Sequence, residues 1–297
     1  MNFSDIDKLL KSNKVPLAVC MPEELDSVMA ACEASEMGFV KCIFVGKLST
    51  MKKIIDENAP NFEPELIDAE TPEEAAFKTV ELIRTGKASA LMKGNISTPI
   101  LLKAVLNSET GIKDSSLLSH VLVYENHNKL RFLTDGGMVP SPTFSQKVEI
   151  IRNAVKLAGR FGCKPVKVAV LSNSEFVESE LQSSIEAAAL AKMSERGQFG
   201  DNVIVDGPLG LDDAVIEDSK EISEIKKSYD GSADVLVASD IDTGNIIGKS
   251  ILYYGNTRAG GIIIGAKCPV ILLSRADTKE IRLDSIKVAL AAGTLDL

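Results

Sequence analysis

The alternation of short apolar runs with segments of helical period most constrains this fold. Residues 15–20, 41–46, 88–92, 167–171, 202–205, 234–238, 261–264 and 270–273 read as buried strands. Between them, residues 23–37, 48–58, 71–84, 98–106, 145–160, 177–193, 212–227, 243–253 and 278–292 read as helices. In the first of these, Leu25, Val28, Met29 and Cys32 fall at i, i+3, i+4 and i+7, one face of a helix. Gly38 then supplies a stop signal, as Gly86 does later. Thr71-Pro72-Glu73-Glu74 has the cap, the first-turn proline and the acids of a helix start. Strands that alternate with helices pair in parallel, because each helix returns the chain across the sheet. The expected class is α/β, with mostly parallel sheets flanked by helices.

One stretch breaks the rhythm. Residues 120–125 and 129–134 are two strand-like runs joined by Asn126-His127-Asn128, a hairpin signal. A proline-rich turn follows at residues 139–143. A chain of 297 residues is long enough for two cores. The expected organisation is a first domain of residues 1–138 plus about 265–297, and a second of about 139–264.

Composition narrows the partners. The net charge is −9 and the pI near 5.0, which argues against nucleic acid or an anionic membrane surface. A small anionic ligand stays compatible, since one lysine or arginine can dominate a local site. The apolar runs at 259–266 and 269–273 are far short of the ~20 residues a membrane span needs. The N-terminal MNFSDIDKLLKSNK has no apolar signal region. A cytoplasmic protein is expected. The five cysteines form no C-x-x-C pair and are expected to be buried, reduced thiols. The two histidines, His120 and His127, do not favour a Ser-His-Asp or His-rich metal site.

Parallel sheets place ligands beyond the carboxyl ends of their strands, so post-strand residues are the candidates. In LMKGNISTP, residues 91–99, a strand runs into Lys93-Gly94, and Ser97-Thr98 opens a helix. Free N–H groups and hydroxyls at a helix start suit an anion, and Lys93 adds a charge. A plain N-cap also explains Ser97 and Thr98, but it does not call for Lys93-Gly94. The spacing is not that of a Walker A loop. In TDGGMVP, residues 134–140, Asp135 precedes paired glycines that let backbone approach a ligand or simply turn. In DIDTGN, residues 240–245, Asp240 and Asn245 offer polar contacts beside Gly244, with Lys249 one turn further. Helix capping by Asp242 or Thr243 is the competing reading there. The last segment is Ser274-Arg275-Ala276-Asp277, directly after PVILL. Arg275 offers a planar fork for phosphate oxygens, and Asp277 is either its ion-pair partner or a base. Arg196-Gly197-Gln198 and Asp206-Gly207-Pro208-Leu209 read as architecture or subunit contact.

Five stretches together resemble the phosphate acetyl/butyryltransferase family, most of all its butyryltransferase branch. They are LMKGNISTPILLKAVL, TDGGMVPSPT, SIEAAALAKMSERGQFGDNVIVDGPLGLDDAV, DIDTGNIIGKSILYYGNTRAGG and GAKCPVILLSRAD. The resemblance implies two α/β domains similar to the isocitrate and isopropylmalate dehydrogenases, with the active site in the interdomain cleft. It implies a homodimer or larger homo-oligomer. It also implies reversible acyl transfer between coenzyme A and phosphate, with butanoyl as the expected acyl group and no metal or cofactor. By the same resemblance, Ser274 and Arg275 bind phosphate and stabilise the transition state. The family's proposed base aligns with Ser285, beside Asp284, so Asp277 and Asp284 both stay open as the base. An acetyl-specific enzyme is an alternative, as is a non-catalytic acyl-CoA sensor. A nucleotide-dependent dehydrogenase has no support, because no G-x-G-x-x-G motif is present.

Overall fold

The computed structural model describes residues 1–10, 14–216, 228–229, 232–272, 274 and 277–294. Cα packing divides the chain into two compact units. Among the described residues, the first comprises Asn2–Ser116 and residues 258–294; the second is Leu117–Thr257 with Met1.

In the first unit the chain runs α1 (Phe3–Leu10), β1 (Val15–Cys20), α2 (Leu25–Glu36), β2 (Val40–Gly46), α3 (Leu48–Asn58), β3 (Glu65–Asp68), α4 (Pro72–Arg84), β4 (Ala90–Lys93) and α5 (Thr98–Val105). The strands lie in the order β3-β2-β1-β4, all parallel. Their apolar side chains explain the burial: Leu17, Ala18, Val19, Phe44, Val45, Leu91 and Met92 are fully enclosed. Thr71 caps α4 by accepting from the Glu74 N–H at 3.2 Å.

The second unit holds β5 (Ser119–Asn126), β6 (Lys129–Thr134), α6 (Phe144–Arg160), β7 (Val166–Leu171), α7 (Gln182–Glu195), β8 (Val203–Leu209), α8 (Leu211–Val215), β9 (Val235–Val237) and α9 (Ile241–Tyr253). β5 and β6 form the expected antiparallel hairpin, turned by His127 and Asn128 with φ of 48° and 60°. Two consecutive positive φ values match the right-handed twist of the flanking strands. β6, β9, β7 and β8 follow as parallel neighbours. A Cβ on Gly207 would stand 2.8 Å from the Val170 carbonyl, so this glycine is required by the close approach of β8 to β7.

The chain then returns to the first unit as β10 (Ala259–Ile264), β11 (Val270–Ile271) and α10 (Lys279–Thr294). β11 joins β4 in parallel and β10 pairs with β11 antiparallel. Helix α10 packs on β10, α1 and α2.

Several expectations shift. The hairpin, expected with the first domain, packs in the second unit because β6 pairs with β9. β10, expected with the second domain, packs in the first unit because it pairs with β11. Two elements were not anticipated. In α1, Phe3, Ile6 and Leu10 are buried along one face, and Asn2 and Asp5 cap each other reciprocally at 3.0 Å. β3 is a half-exposed strand defined by its pairing with β2 rather than by an apolar run. The helix expected from residue 177 begins at Gln182. Of the helix expected over 212–227, α8 covers the start, and residues 217–227 lie outside the described residues. No helix among the described residues is long and apolar enough to cross a membrane.

Candidate active site

Gly94 sets the geometry at the carboxyl end of β4. Its N–H donates to the Cys20 carbonyl at 2.8 Å, and the Asn95 N–H donates to the Met21 carbonyl at 2.7 Å. The chain therefore crosses the end of β1 in close contact. A Cβ on Gly94 would stand 2.3 Å from the Met21 oxygen, a distance no side chain tolerates. Lys93, half-buried, turns its Nζ back onto the Gly94 carbonyl at 3.1 Å. Ser97 precedes α5 in extended conformation, yet its hydroxyl makes no cap hydrogen bond. Thr98, half-buried, is the first residue of that helix.

Ser274 arrives at the same place from β11. Its N–H donates to Asp277 Oδ2 at 2.7 Å, and the Asp277 N–H donates back to the Ser274 carbonyl at 3.1 Å. Lys93, Gly94, Ser97 and Ser274 line one cavity of about 460 Å³ within the first unit. Arg275, between Ser274 and Asp277 in sequence, lies outside the described residues.

Three side chains on this cavity escaped the sequence reading: Glu24, Asp26 and Arg282. Arg282 is 6% exposed and reaches the carbonyls of Ser274 and Asp277 as well as Asp26. One signal was legible. A cation in the first turns of a helix opposes the helix dipole, and Arg282 is the fourth residue of α10.

The cavity sets the Lys93 ammonium and the helix start at Ser97, groups that suit an anion, beside the Glu24 and Asp26 carboxylates, with the Arg282 guanidinium committed to the Ser274 turn and Asp26. Asp284, the other open candidate for the base, is 4% exposed and paired with Arg258. The Ser285 hydroxyl accepts from the Gly261 N–H at 3.0 Å and donates to the Ile281 carbonyl at 2.8 Å. Neither is among the residues lining the cavity, and neither is Asp277, which borders it through its hydrogen bonds to Ser274.

The remaining candidates gather in the second unit. The Asp135 carboxylate accepts N–H groups from Gly137, Met138 and Val139 at 2.8, 2.9 and 3.2 Å, closing the turn after β6. Burial pushes its pKa up, against the pull of the Gly137 N–H, His120 and the Met138 N–H. The start of α9 is fastened to this turn. Asn245 donates its amide to the Gly136 carbonyl at 3.1 Å, and a Cβ on Gly244 would stand 2.4 Å from the Asp135 carbonyl. Asp240 caps α9 and lines a second cavity of about 790 Å³ with Lys147, Ser172 and Thr243. That cavity opens beyond β7, β8 and β9, where a parallel sheet presents ligand sites. Its one lysine is held by Glu186 at 2.6 Å. Lys249 is exposed, 5.7 Å from the Tyr253 ring, and lines neither cavity.

The described residues hold no group of three or more His, Cys, Asp or Glu placed to bind a metal. Burial pushes the Cys20 thiol up to about 11 and those of Cys42, Cys163 and Cys268 to about 12. Such thiols are not nucleophiles near neutral pH.

Comparison with known proteins bears on this geometry. The family model described as Phosphate acetyl/butaryl transferase matches residues 65–291. The phosphate butyryltransferase of Clostridium beijerinckii is 36% identical, covering 97% of this chain and 96% of that protein. The phosphate acetyltransferase of Rickettsia typhi is also 36% identical, over 93% of this chain and 80% of that protein. Among solved structures, a branched-chain phosphotransacylase from Enterococcus faecalis V583 superposes with a TM-score of 0.84 at 29% identity. The superposition covers 95% of this chain and 100% of that one.

Proposed function

The chain belongs to the phosphate acetyl/butaryl transferase family, and from that premise we propose that it carries out butanoyl-CoA + phosphate = CoA + butanoyl phosphate. Family membership over nearly the whole chain carries this reading. The Lys93–Ser97 and Ser274 cavity supports it as the phosphate side.

In the forward direction a phosphate oxygen attacks the thioester carbonyl. Charge builds on the carbonyl oxygen, the C–S bond breaks, and the proton carried by hydrogen phosphate ends on the CoA sulfur. In reverse, the thiol must lose its proton first, because a free thiol near pKa 8.5 is mostly protonated at pH 7. Asp277, on the Ser274 turn, is the base we assign. Lys93 and Ser97 hold phosphate oxygens, and Arg275, next to Ser274 in the chain, supplies the guanidinium for the oxyanion. Neither direction involves electron transfer, so the proposal needs no redox cofactor. We extend the reading to a cytoplasmic homo-oligomer.

The test is phosphate-dependent thiol release from acetyl-, propanoyl-, butanoyl- and 2-methylpropanoyl-CoA in metal-free buffer, with light scattering for the oligomer. Highest kcat/KM on butanoyl-CoA is expected. Preference for acetyl-CoA would establish the acetyl alternative, which the equal identity to an acetyltransferase keeps open. CoA binding without turnover would identify a sensor. Release without phosphate would mean a thioesterase.

A further inference from the structure

Burying a guanidinium is costly unless its N–H groups find acceptors. Arg282, almost wholly buried, finds them on the Ser274 turn. Its Nε donates to the Asp277 carbonyl at 3.0 Å and its Nη2 to the Ser274 carbonyl at 3.4 Å. The same Nη2 stands 3.1 Å from Asp26 Oδ2, in the first turn of α2. Asp26 is 66% exposed, so water screens its end of this ion pair, which contributes orientation more than energy. The two carbonyls are what tie Arg282 to the Ser274 turn.

Ser274 and Asp277 bracket Arg275 in the chain. One rigid, planar fork therefore grips both Ser274 and Asp277, from a helix that packs in the core of the first unit. We propose that Arg282 is a positioning residue for the phosphate half of the site, holding Ser274 and Asp277 in place through their carbonyls. The proposal rests on the acyl-transfer reading. It also makes a distinction that charge alone does not. Lysine keeps the charge but presents a point donor, and it lacks the fork that reaches two carbonyls.

The test compares Arg282→Lys and Arg282→Met with the wild-type protein. The readouts are kcat/KM for phosphate, KM for butanoyl-CoA, and amide hydrogen exchange of a peptide spanning residues 272–280. Both variants are expected to lose about 10- to 100-fold in kcat/KM for phosphate, as expected when hydrogen bonds from a charged group are lost. KM for butanoyl-CoA is expected to stay within about threefold. Exchange is expected to quicken in the 272–280 peptide and to stay unchanged in the second unit. Full recovery by lysine, or wild-type kinetics and exchange in Arg282→Met, would overturn the proposal. If the methionine variant does not fold, the lysine variant decides alone. A wild-type protein without turnover would count against the acyl-transfer reading, and hydrogen exchange would still decide whether Arg282 holds the turn.

Discussion

Asp284 grips Arg258 through both carboxylate oxygens, with Oδ2 2.8 Å from Nε and Oδ1 2.8 Å from Nη2. Asp7 and Lys287 complete the cluster: Asp7 lies 3.3 Å from Arg258 and 2.9 Å from Lys287, and Asp284 lies 3.6 Å from Lys287. These charges join α1, α10 and the start of β10. Asp284 thus acts in the fold, and Asp277, on the Ser274 turn, is the proposed base. Asp284→Asn is expected to lower stability by about 2–4 kcal/mol, less than a wholly buried pair because Arg258 keeps contact with water. Urea unfolding measures this. The pH–rate profile of the folded variant is expected to match wild type, and loss of its acidic limb would restore Asp284 as the base.

Gly94→Ala tests the crossing of β4 over β1. A Cβ at 2.3 Å from the Met21 oxygen forces two backbones apart, since no flexible side chain is there to yield. The expected cost is about 1–3 kcal/mol, the range for overpacking, together with weaker phosphate binding as Lys93 shifts. A calorimetric melt and phosphate KM read the two effects. An alanine variant with wild-type melting would show that this crossing is not tight.

Arg275→Ala is expected to reduce kcat by roughly 10²–10³, the usual loss when a group stabilising transition-state charge is removed. Circular dichroism and melting temperature are expected to stay at wild-type values. Lys93→Ala is expected to act chiefly on phosphate KM. Near-normal turnover in Arg275→Ala would remove Arg275 from the catalytic set.

Asp240 gives a pH-dependent stability. The Thr243 N–H, 2.8 Å from Oδ1, and the Ser239 hydroxyl, 2.9 Å from Oδ2, hold its carboxyl below the ordinary 3.8. The folded state therefore favours the anion more than the unfolded chain does. That stabilisation is present above the unfolded value and is lost as pH falls through the lower, folded one. Asp240→Ala is expected to cost about 1 kcal/mol at pH 7, the usual worth of an N-cap. The difference from wild type is expected to shrink only below pH 3.8, as urea midpoints across pH 3–7 would show. A difference that is constant with pH would mean the cap does not depend on charge.

Local chemistry made much of the molecule legible in its sequence. The period of apolar residues is a near-neighbour property, so β1, β2, α3 and the hairpin appear where the pattern puts them. Capping is equally local, which is why Thr71 and the start of α4 are readable from four consecutive residues. The post-strand rule also brought Lys93, Gly94, Ser97 and Ser274 forward together, because a parallel sheet aligns its carboxyl ends.

What the tertiary structure decided depends on partners far apart in the chain. β3 has no apolar pattern and exists through its ladder with β2. The hairpin's unit follows from the β6–β9 pairing, which no local signal encodes. Asp135, Gly244 and Asn245 looked like ligand contacts one by one, and packing joined them into a fastening between the β6 turn and α9. Asp284 became a structural ion pair only when α10 packed against β10 and brought Arg258 to it. Arg282 and Asp26, from opposite ends of the chain, meet beside Ser274 only because β11 lies next to β4 and α10 packs against α2. Sequence by itself determined most of the elements, the family and the strand ends where chemistry is possible. Long-range pairing decided which polar residues are free to face a substrate and which are committed to holding the fold, because a buried charge or N–H must be satisfied wherever the fold leaves it.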